Sequence, residues 1–162
     1  MGRIGDGREP RVGRVRVAGR GVAGRERGLE RRGVRVVDRL RRDLPDVIAV
    51  YRFGSTARGD ASDSSDVDLA VLTPTPIPPV RRFEVQEELA AIVGRDVDLV
   101  DLLTASPVLA VQVVAHGQLL FDGDRDARGH FEDRVFGAYA RLNEERRGIL
   151  ERIAAEGSIY GR

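Results

Sequence analysis

A Gly-Ser pair followed at a fixed distance by two alternating aspartates is the feature that most constrains this chain. Gly54 and Ser55 come directly after the apolar segment 47–53, and ten residues separate Ser55 from Asp66. Segment 47–53 is rich in β-branched and aromatic residues, which predicts a strand. Glycine at a strand end lets the backbone approach a ligand closely, because it has no Cβ and tolerates unusual dihedral angles.

The residues after this strand suit an anion. If Thr56 begins a helical turn, its free N–H group and those of Gly54 and Ser55 form a concave set of donors that fits the phosphates of a nucleotide. This cradle needs no lysine, and the sequence contains none. Taken as a bare dipeptide, Gly-Ser is more typical of an ordinary turn.

Asp66 and Asp68 lie two residues apart at the start of the next apolar run, Val67 to Leu72. In a strand this spacing places both carboxylates on one face, with Val67 and Leu69 directed into the core. Their repulsion is relieved by a cation, and Mg²⁺ prefers carboxylate and phosphate oxygens. An isolated Asp-X-Asp is otherwise typical of a loop cap or a solvated strand end.

A third carboxylate is available in the segment from Asp96 to Asp101, where Asp98 lies mid-strand between apolar neighbours. Burying that charge without a partner would cost several kcal/mol. A metal ion would relieve the cost, although a salt-bridged or strand-edge aspartate also fits. Asp96 and Asp101 are expected at the two strand ends.

Together, a phosphate cradle, a carboxylate pair and a third carboxylate are the parts of two-metal phosphoryl transfer. Gly54-Ser55, ten residues and Asp66-Val67-Asp68 resemble the signature of the DNA polymerase β-type nucleotidyltransferase superfamily. With Ala57-Arg58-Gly59 and Ser65, the segment is similar to the minimal, MNT-type branch. The resemblance covers about residues 33–122.

The resemblance implies a role for each matching residue. Asp66 and Asp68 bind two Mg²⁺ ions, and Asp98 completes one metal site as base or only as ligand. Gly54 and Ser55 hold the triphosphate of ATP, with Arg58 and Ser65 in the same nucleotide-binding set. It further implies an antitoxin that moves AMP from ATP to a tyrosine hydroxyl of a HEPN-type toxin.

Hydrophobic periodicity predicts an α/β (α+β) fold with a long C-terminal helix, and the resemblance implies that the strands form a small mixed β-sheet flanked by helices. Helices are predicted near 33–44, 80–93, 106–117 and 131–155, and strands at 47–53, 67–72, 97–100 and 119–121. The resemblance implies that this is a polymerase β-like nucleotidyltransferase core.

Composition divides the chain into an arm at 1–28, a nucleotidyltransferase domain at 29–126 and an amphipathic C-terminal helix at 127–162. Residues 1–33 carry ten arginines against four acidic residues, a net charge of +6, and the total of +1 leaves −5 for the remainder. The Arg/Gly-rich arm predicts disorder, and phosphate contact by this arm is the one nucleic-acid role left open. With no cysteine and no membrane-spanning run, disulfides and thiolate metal sites are excluded, and a cytoplasmic protein is expected.

Two other functions fit the sequence. The chain could be a binding module that neutralises a partner by covering it with the C-terminal helix, in which transfer is incidental. It could also be a small-molecule adenylyltransferase of the aminoglycoside type, which needs an additional substrate pocket. His116 and His130 are expected to be surface or cap residues rather than a catalytic base.

Overall fold

The computed structural model describes residues 23–58 and 66–159, which form a four-stranded sheet with helices on both faces. The elements along the chain are α1 (Ala23–Asp43), β1 (Ala49–Phe53), α2 (Gly54–Arg58), β2 (Val67–Leu72), α3 (Pro79–Val93), β3 (Val97–Asp101), α4 (Pro107–His116), β4 (Gln118–Asp122) and α5 (Arg125–Ile159). The strand order is β3-β2-β1-β4. β1 runs antiparallel to β2 and β4, whereas β2 and β3 are parallel, so the sheet is mixed as predicted.

Alternating residues of the central strands separate two cores. Val50, Leu69 and Leu99 face α1 and α3, and they are fully buried. Tyr51, Ala70 and Leu72 point to the opposite face, where α4 and the first part of α5 cover them; the contributing helix residues are Ala110, Val111, Val113, Phe131 and Val135. Both faces of β1 and β2 are therefore covered, which fixes their register.

Helix ends follow local signals in the sequence. Gly94 ends α3 in the left-handed conformation, at φ 73°. At the start of α4 the Ser106 hydroxyl accepts a hydrogen bond from Leu109 N–H, and Pro107 occupies the first turn, where its missing N–H costs nothing. These boundaries agree with the prediction.

The first helix starts earlier than the apolar pattern indicates. α1 begins at Ala23, whereas periodicity predicted a start near Gly33, so residues 23–28 are helical and not part of a disordered arm. Segment 23–32 contains four arginines and two glutamates, which favour helix even without an apolar stripe. Residues 1–22, which hold the rest of that arm, lie outside the described residues.

The long C-terminal helix was predicted for 131–155 and spans Arg125–Ile159. Its first part packs on the sheet through Phe131 and Val135. Further along, Ile149, Leu150 and Ile153 are exposed. No helix in residues 23–58 and 66–159 is both long and apolar enough to cross a bilayer.

Candidate active site

Gly54, the first residue after β1, lies directly against Asp68. Its φ is 71°, a region that non-glycine residues rarely adopt. A Cβ atom at this position would overlap Oδ2 of Asp68 and lie 2.9 Å from its Cγ. Glycine is therefore required here both for its conformation and for the space that the carboxylate occupies.

Asp68 and Asp98 are neighbours in the parallel register of β2 and β3. Side chains in register on adjacent strands lie on the same face of the sheet, so both carboxylates lie on the face that α4 covers. Asp68 is half-buried. Its pKa is raised above the ordinary value, first by burial and then by the negative charges of Asp98 and Asp66. The carboxylates therefore form one electrostatically coupled group.

Two details differ from the sequence predictions. Asp66 precedes β2, which begins at Val67, and it is exposed rather than held within the strand. Asp98 lies mid-strand as predicted but is exposed. The predicted burial cost at Asp98 is therefore absent, and the repulsion among the three aspartates falls on Asp68.

The other two aspartates of this segment are separate from the group. Asp96 precedes β3 and is exposed, as expected for a strand end. Asp101 ends β3 and is buried, with 3% of its surface exposed. Its carboxylate accepts hydrogen bonds from the backbone N–H groups of Ile77, at 2.8 Å, and Leu103, at 2.9 Å. Asp101 therefore anchors the loop before α3.

Side chains of α3 brace the outer edge of β3 next to Asp98. Gln86 Oε1 accepts a hydrogen bond from Leu99 N–H at 3.1 Å, and Arg82 donates to the Leu99 carbonyl at 2.8 Å. These bonds satisfy backbone groups that an edge strand leaves unpaired. They fix β3 beside β2, a contribution that no motif in the sequence indicated.

The predicted phosphate cradle coincides with α2. This short helix begins at Gly54 and contains Ser55, Thr56 and Arg58, so the predicted helical turn is present. The side chain of Arg58 lies outside the described residues, as does the whole of Ser65. The nucleotide-binding roles of Ser55, Arg58 and Ser65 stay predictions.

A small cleft adjoins this turn. It has a volume of about 120 Å³ and is lined by Phe53, Gly54, Gln112 and His116. We call it the α4 cleft, because two of its residues belong to that helix. Both Gln112 and His116 are exposed, and neither was among the predicted site residues. His130 lies on α5, is exposed and does not line the cleft. A wider depression, lined by Asp38, Arg41, Arg42 and Pro45, includes none of the site residues.

Within the described ranges, no three or more His, Asp or Glu side chains are arranged to hold a metal ion by themselves. Mg²⁺ usually takes one or two protein carboxylates and completes its shell with water and substrate phosphates. The crowded negative charge at Asp68 is the observation that fits a cation here, since a nearby positive charge would favour its ionised form.

Comparison with known proteins agrees with this geometry. Residues 36–126 match the family model described as "Polymerase beta, Nucleotidyltransferase". A curated relative, the protein adenylyltransferase MntA of Shewanella oneidensis, is 35% identical over 121 residues, which cover 75% of this chain and 86% of MntA.

Solved structures of toxin–antitoxin complexes contain chains similar to this one. A crystal structure of a toxin–antitoxin with AMP-PNP contains a chain with 34% identity and a TM-score of 0.68, and the match covers 75% of this chain and 98% of that one. A second structure holds the tri-AMPylated HEPN toxin of Shewanella oneidensis in complex with an MNT antitoxin. Its match has 31% identity and a TM-score of 0.65, and covers 77% of this chain and 98% of the other.

Proposed function

The chain belongs to the polymerase β nucleotidyltransferase family. From this premise we propose that it is a cytoplasmic antitoxin that transfers AMP from ATP to a tyrosine hydroxyl group of a HEPN-type toxin. The observation that carries the proposal is the position of Asp68, against Gly54 and in register with Asp98. A carboxylate pair thus borders the turn that receives the triphosphate. The similarity to MntA and to an AMPylated toxin complex supports the choice of acceptor.

The donor site is the turn from β1 into α2. Backbone N–H groups at the start of α2 have no intrahelical acceptor and are available to phosphate oxygens. We assign the triphosphate of ATP to Gly54 and Ser55, with Arg58 and Ser65 as further nucleotide-binding residues. Since Gly54 has no Cβ, phosphate and carboxylate oxygens can both approach the same backbone atoms.

We assign the metal-binding role to Asp66, Asp68 and Asp98. Two Mg²⁺ ions held there would neutralise the triphosphate and act as Lewis acids at the α-phosphate. Because β2 and β3 are fixed in register, Asp68 and Asp98 would hold the bound ions next to Gly54. The raised pKa of Asp68 supports this assignment, because a bound cation would favour the ionised form of that carboxylate.

In the transfer step, the acceptor hydroxyl oxygen forms a bond to the α-phosphorus, and the bond from that phosphorus to the bridging oxygen of pyrophosphate breaks. The hydroxyl proton passes to a carboxylate. Asp98 lies mid-strand and is exposed, whereas Asp68 is half-buried, so an incoming protein hydroxyl reaches Asp98 more readily than Asp68. We therefore assign proton acceptance to Asp98 and positioning to Asp68.

The test combines the purified chain, Mg²⁺, α-labelled ATP and the HEPN-type protein encoded beside it. We expect label on that protein with the wild type and a loss of about 100-fold or more with Asp68→Asn, because metal ligands contribute several kcal/mol to such steps. Asp46→Asn is the matched control, since Asp46 is exposed in the turn after α1. An Asp68→Asn variant that labels its partner at the wild-type rate contradicts the proposal.

A second function is favoured by the exposed apolar residues of α5, namely Ile149, Leu150 and Ile153. They suit a chain that neutralises its partner by covering it, without transfer. Toxin activity, measured together with labelling, separates the two functions. If Asp68→Asn neutralises the toxin as fully as the wild type, masking is sufficient. Label found on an aminoglycoside rather than on protein would instead indicate a small-molecule adenylyltransferase.

A further inference from the structure

We propose that the α4 cleft holds the base of the donor nucleotide, and that Gln112 and His116 make this site select adenine. This inference rests on the proposed function, and it assigns a specificity role to two residues outside the carboxylate group. Its starting point is Gly54, which lines the cleft and also contacts Asp68. Only Gly54 therefore separates a ligand in the cleft from the Asp68 carboxylate.

The cleft is on the same face of the sheet as the aspartates. Phe53 is the register partner of Asp68 in the antiparallel pair of β1 and β2, and paired residues direct their side chains to one face. Phe53 also packs with the core beneath α4. One molecule can therefore occupy the cleft and reach Asp68 without crossing the sheet.

The wall that α4 supplies is well fixed. Gln112 and His116 are four residues apart, so they lie on the same side of the helix. Val113, between them, is fully buried in the core, and Gly117 N–H bonds the Val113 carbonyl at 2.7 Å where the helix ends. The two polar side chains are therefore presented from a helix whose opposite side is anchored.

The chemistry of the lining favours a neutral planar ring over a phosphate. The four lining residues include no arginine, so the cleft offers no guanidinium group to hold a phosphate. A volume of about 120 Å³ is smaller than the roughly 300 Å³ or more of pockets that enclose whole drug-sized ligands. It suits one part of a nucleotide.

A nucleobase matches the side chains present. Phe53 contributes an apolar aromatic side chain to the lining, the residue type that contacts bases in many nucleic-acid sites. The Gln112 amide offers a donor and an acceptor together, the pairing that glutamine uses with the N6 and N7 edge of adenine. His116, four residues further along α4, adds a second polar group to the same wall of the cleft. Guanine presents a carbonyl oxygen where adenine presents its amino group, so the amide can discriminate between them.

The test is calorimetric titration of the full chain with Mg²⁺ and one of three probes: AMP-PNP, the corresponding guanosine analogue or inorganic tripolyphosphate. We expect the wild type to prefer AMP-PNP over the guanosine analogue. Gln112→Ala should weaken AMP-PNP binding about tenfold and reduce this preference, since a good bidentate contact contributes about 1–3 kcal/mol of discrimination. Tripolyphosphate affinity should be unchanged. His116→Ala should act in the same direction.

His130→Ala is the matched control, because His130 is exposed on α5 and does not line the cleft. The inference is overturned if Gln112→Ala leaves the adenine preference intact, or if it weakens the binding of tripolyphosphate as much as that of AMP-PNP. It is also overturned if the variant only raises KM for the acceptor protein, which would place the acceptor side chain in the cleft. A wild type that binds no Mg²⁺-nucleotide at all would refute the proposed function as well, which distinguishes the two failures.

Discussion

The missing Cβ of Gly54 leaves the space that the Asp68 carboxylate fills. In the described structure the end of β1 and the start of β2 approach so closely that any larger residue would overlap Oδ2 of Asp68. The phosphate-binding turn and the carboxylate group are thus one packed unit and not two adjacent motifs. Disturbing either part should disturb the other.

Replacing Gly54 by alanine should abolish transfer. The positive φ costs a non-glycine residue about 1–2 kcal/mol, and the overlap with Asp68 adds to this by displacing the carboxylate. Gly94→Ala is the control, because Gly94 has φ 73° with open space around it. It should lose a similar conformational contribution yet keep full activity. Urea unfolding measures the stability of the two variants and the labelling assay measures their activity. Equal activity losses in the two variants would contradict this account.

The two aspartates of β3 should separate function from stability. Asp98→Ala should reduce transfer about 100-fold or more without lowering the free energy of unfolding, since Asp98 is exposed. Asp101→Ala should lower that free energy by about 1.5–3 kcal/mol or more, because one buried and one partly buried backbone N–H group lose a charged acceptor. Denaturant unfolding and the labelling assay on each variant check this. A stability loss in Asp98→Ala together with an activity loss in Asp101→Ala would contradict this assignment of roles.

Asp68→Asn should make the metal-free protein more stable at neutral pH. Because the pKa of Asp68 is raised on folding, stability in the wild type falls as the pH rises from the ordinary value of 3.8 through the higher folded value. Asparagine does not ionise, so the difference in Tm between the variant and the wild type should vanish in acid, where Asp68 is protonated. Thermal unfolding in EDTA across this range measures it. A variant less stable than wild type at neutral pH would contradict the coupling of the three carboxylates.

Tyr51→Phe should weaken the attachment of α5 to the sheet. The buried Tyr51 hydroxyl donates a hydrogen bond to Glu132 at 2.7 Å, and its loss should cost about 0.5–1.5 kcal/mol. Burial and then Glu132 raise the pKa of Tyr51, so this stabilisation is present below pH 10.0 and is lost above it. Urea unfolding on both sides of pH 10.0 should show a flatter alkaline decline in the variant. An unchanged decline would assign the alkali sensitivity to other groups.

Much of the fold was predictable because its signals are local. The bounds of β2 agree residue for residue with the apolar run from Val67 to Leu72, and the Ser106-Pro107 cap correctly marked the start of α4. The early start of α1 at Ala23 was missed, since that prediction used apolar periodicity and gave no weight to the helix propensity of Arg and Glu.

The sequence by itself determined the parts of the site: a glycine where a turn needs one, aspartates at alternating positions, and the spacing between them. Only the tertiary structure decided that Asp98 is exposed and Asp101 buried, and that Gln112 and His116 border Gly54. The reason is physical. Backbone propensities act over a few neighbouring residues, whereas exposure and cross-strand register depend on which distant segments pack on each face of the sheet.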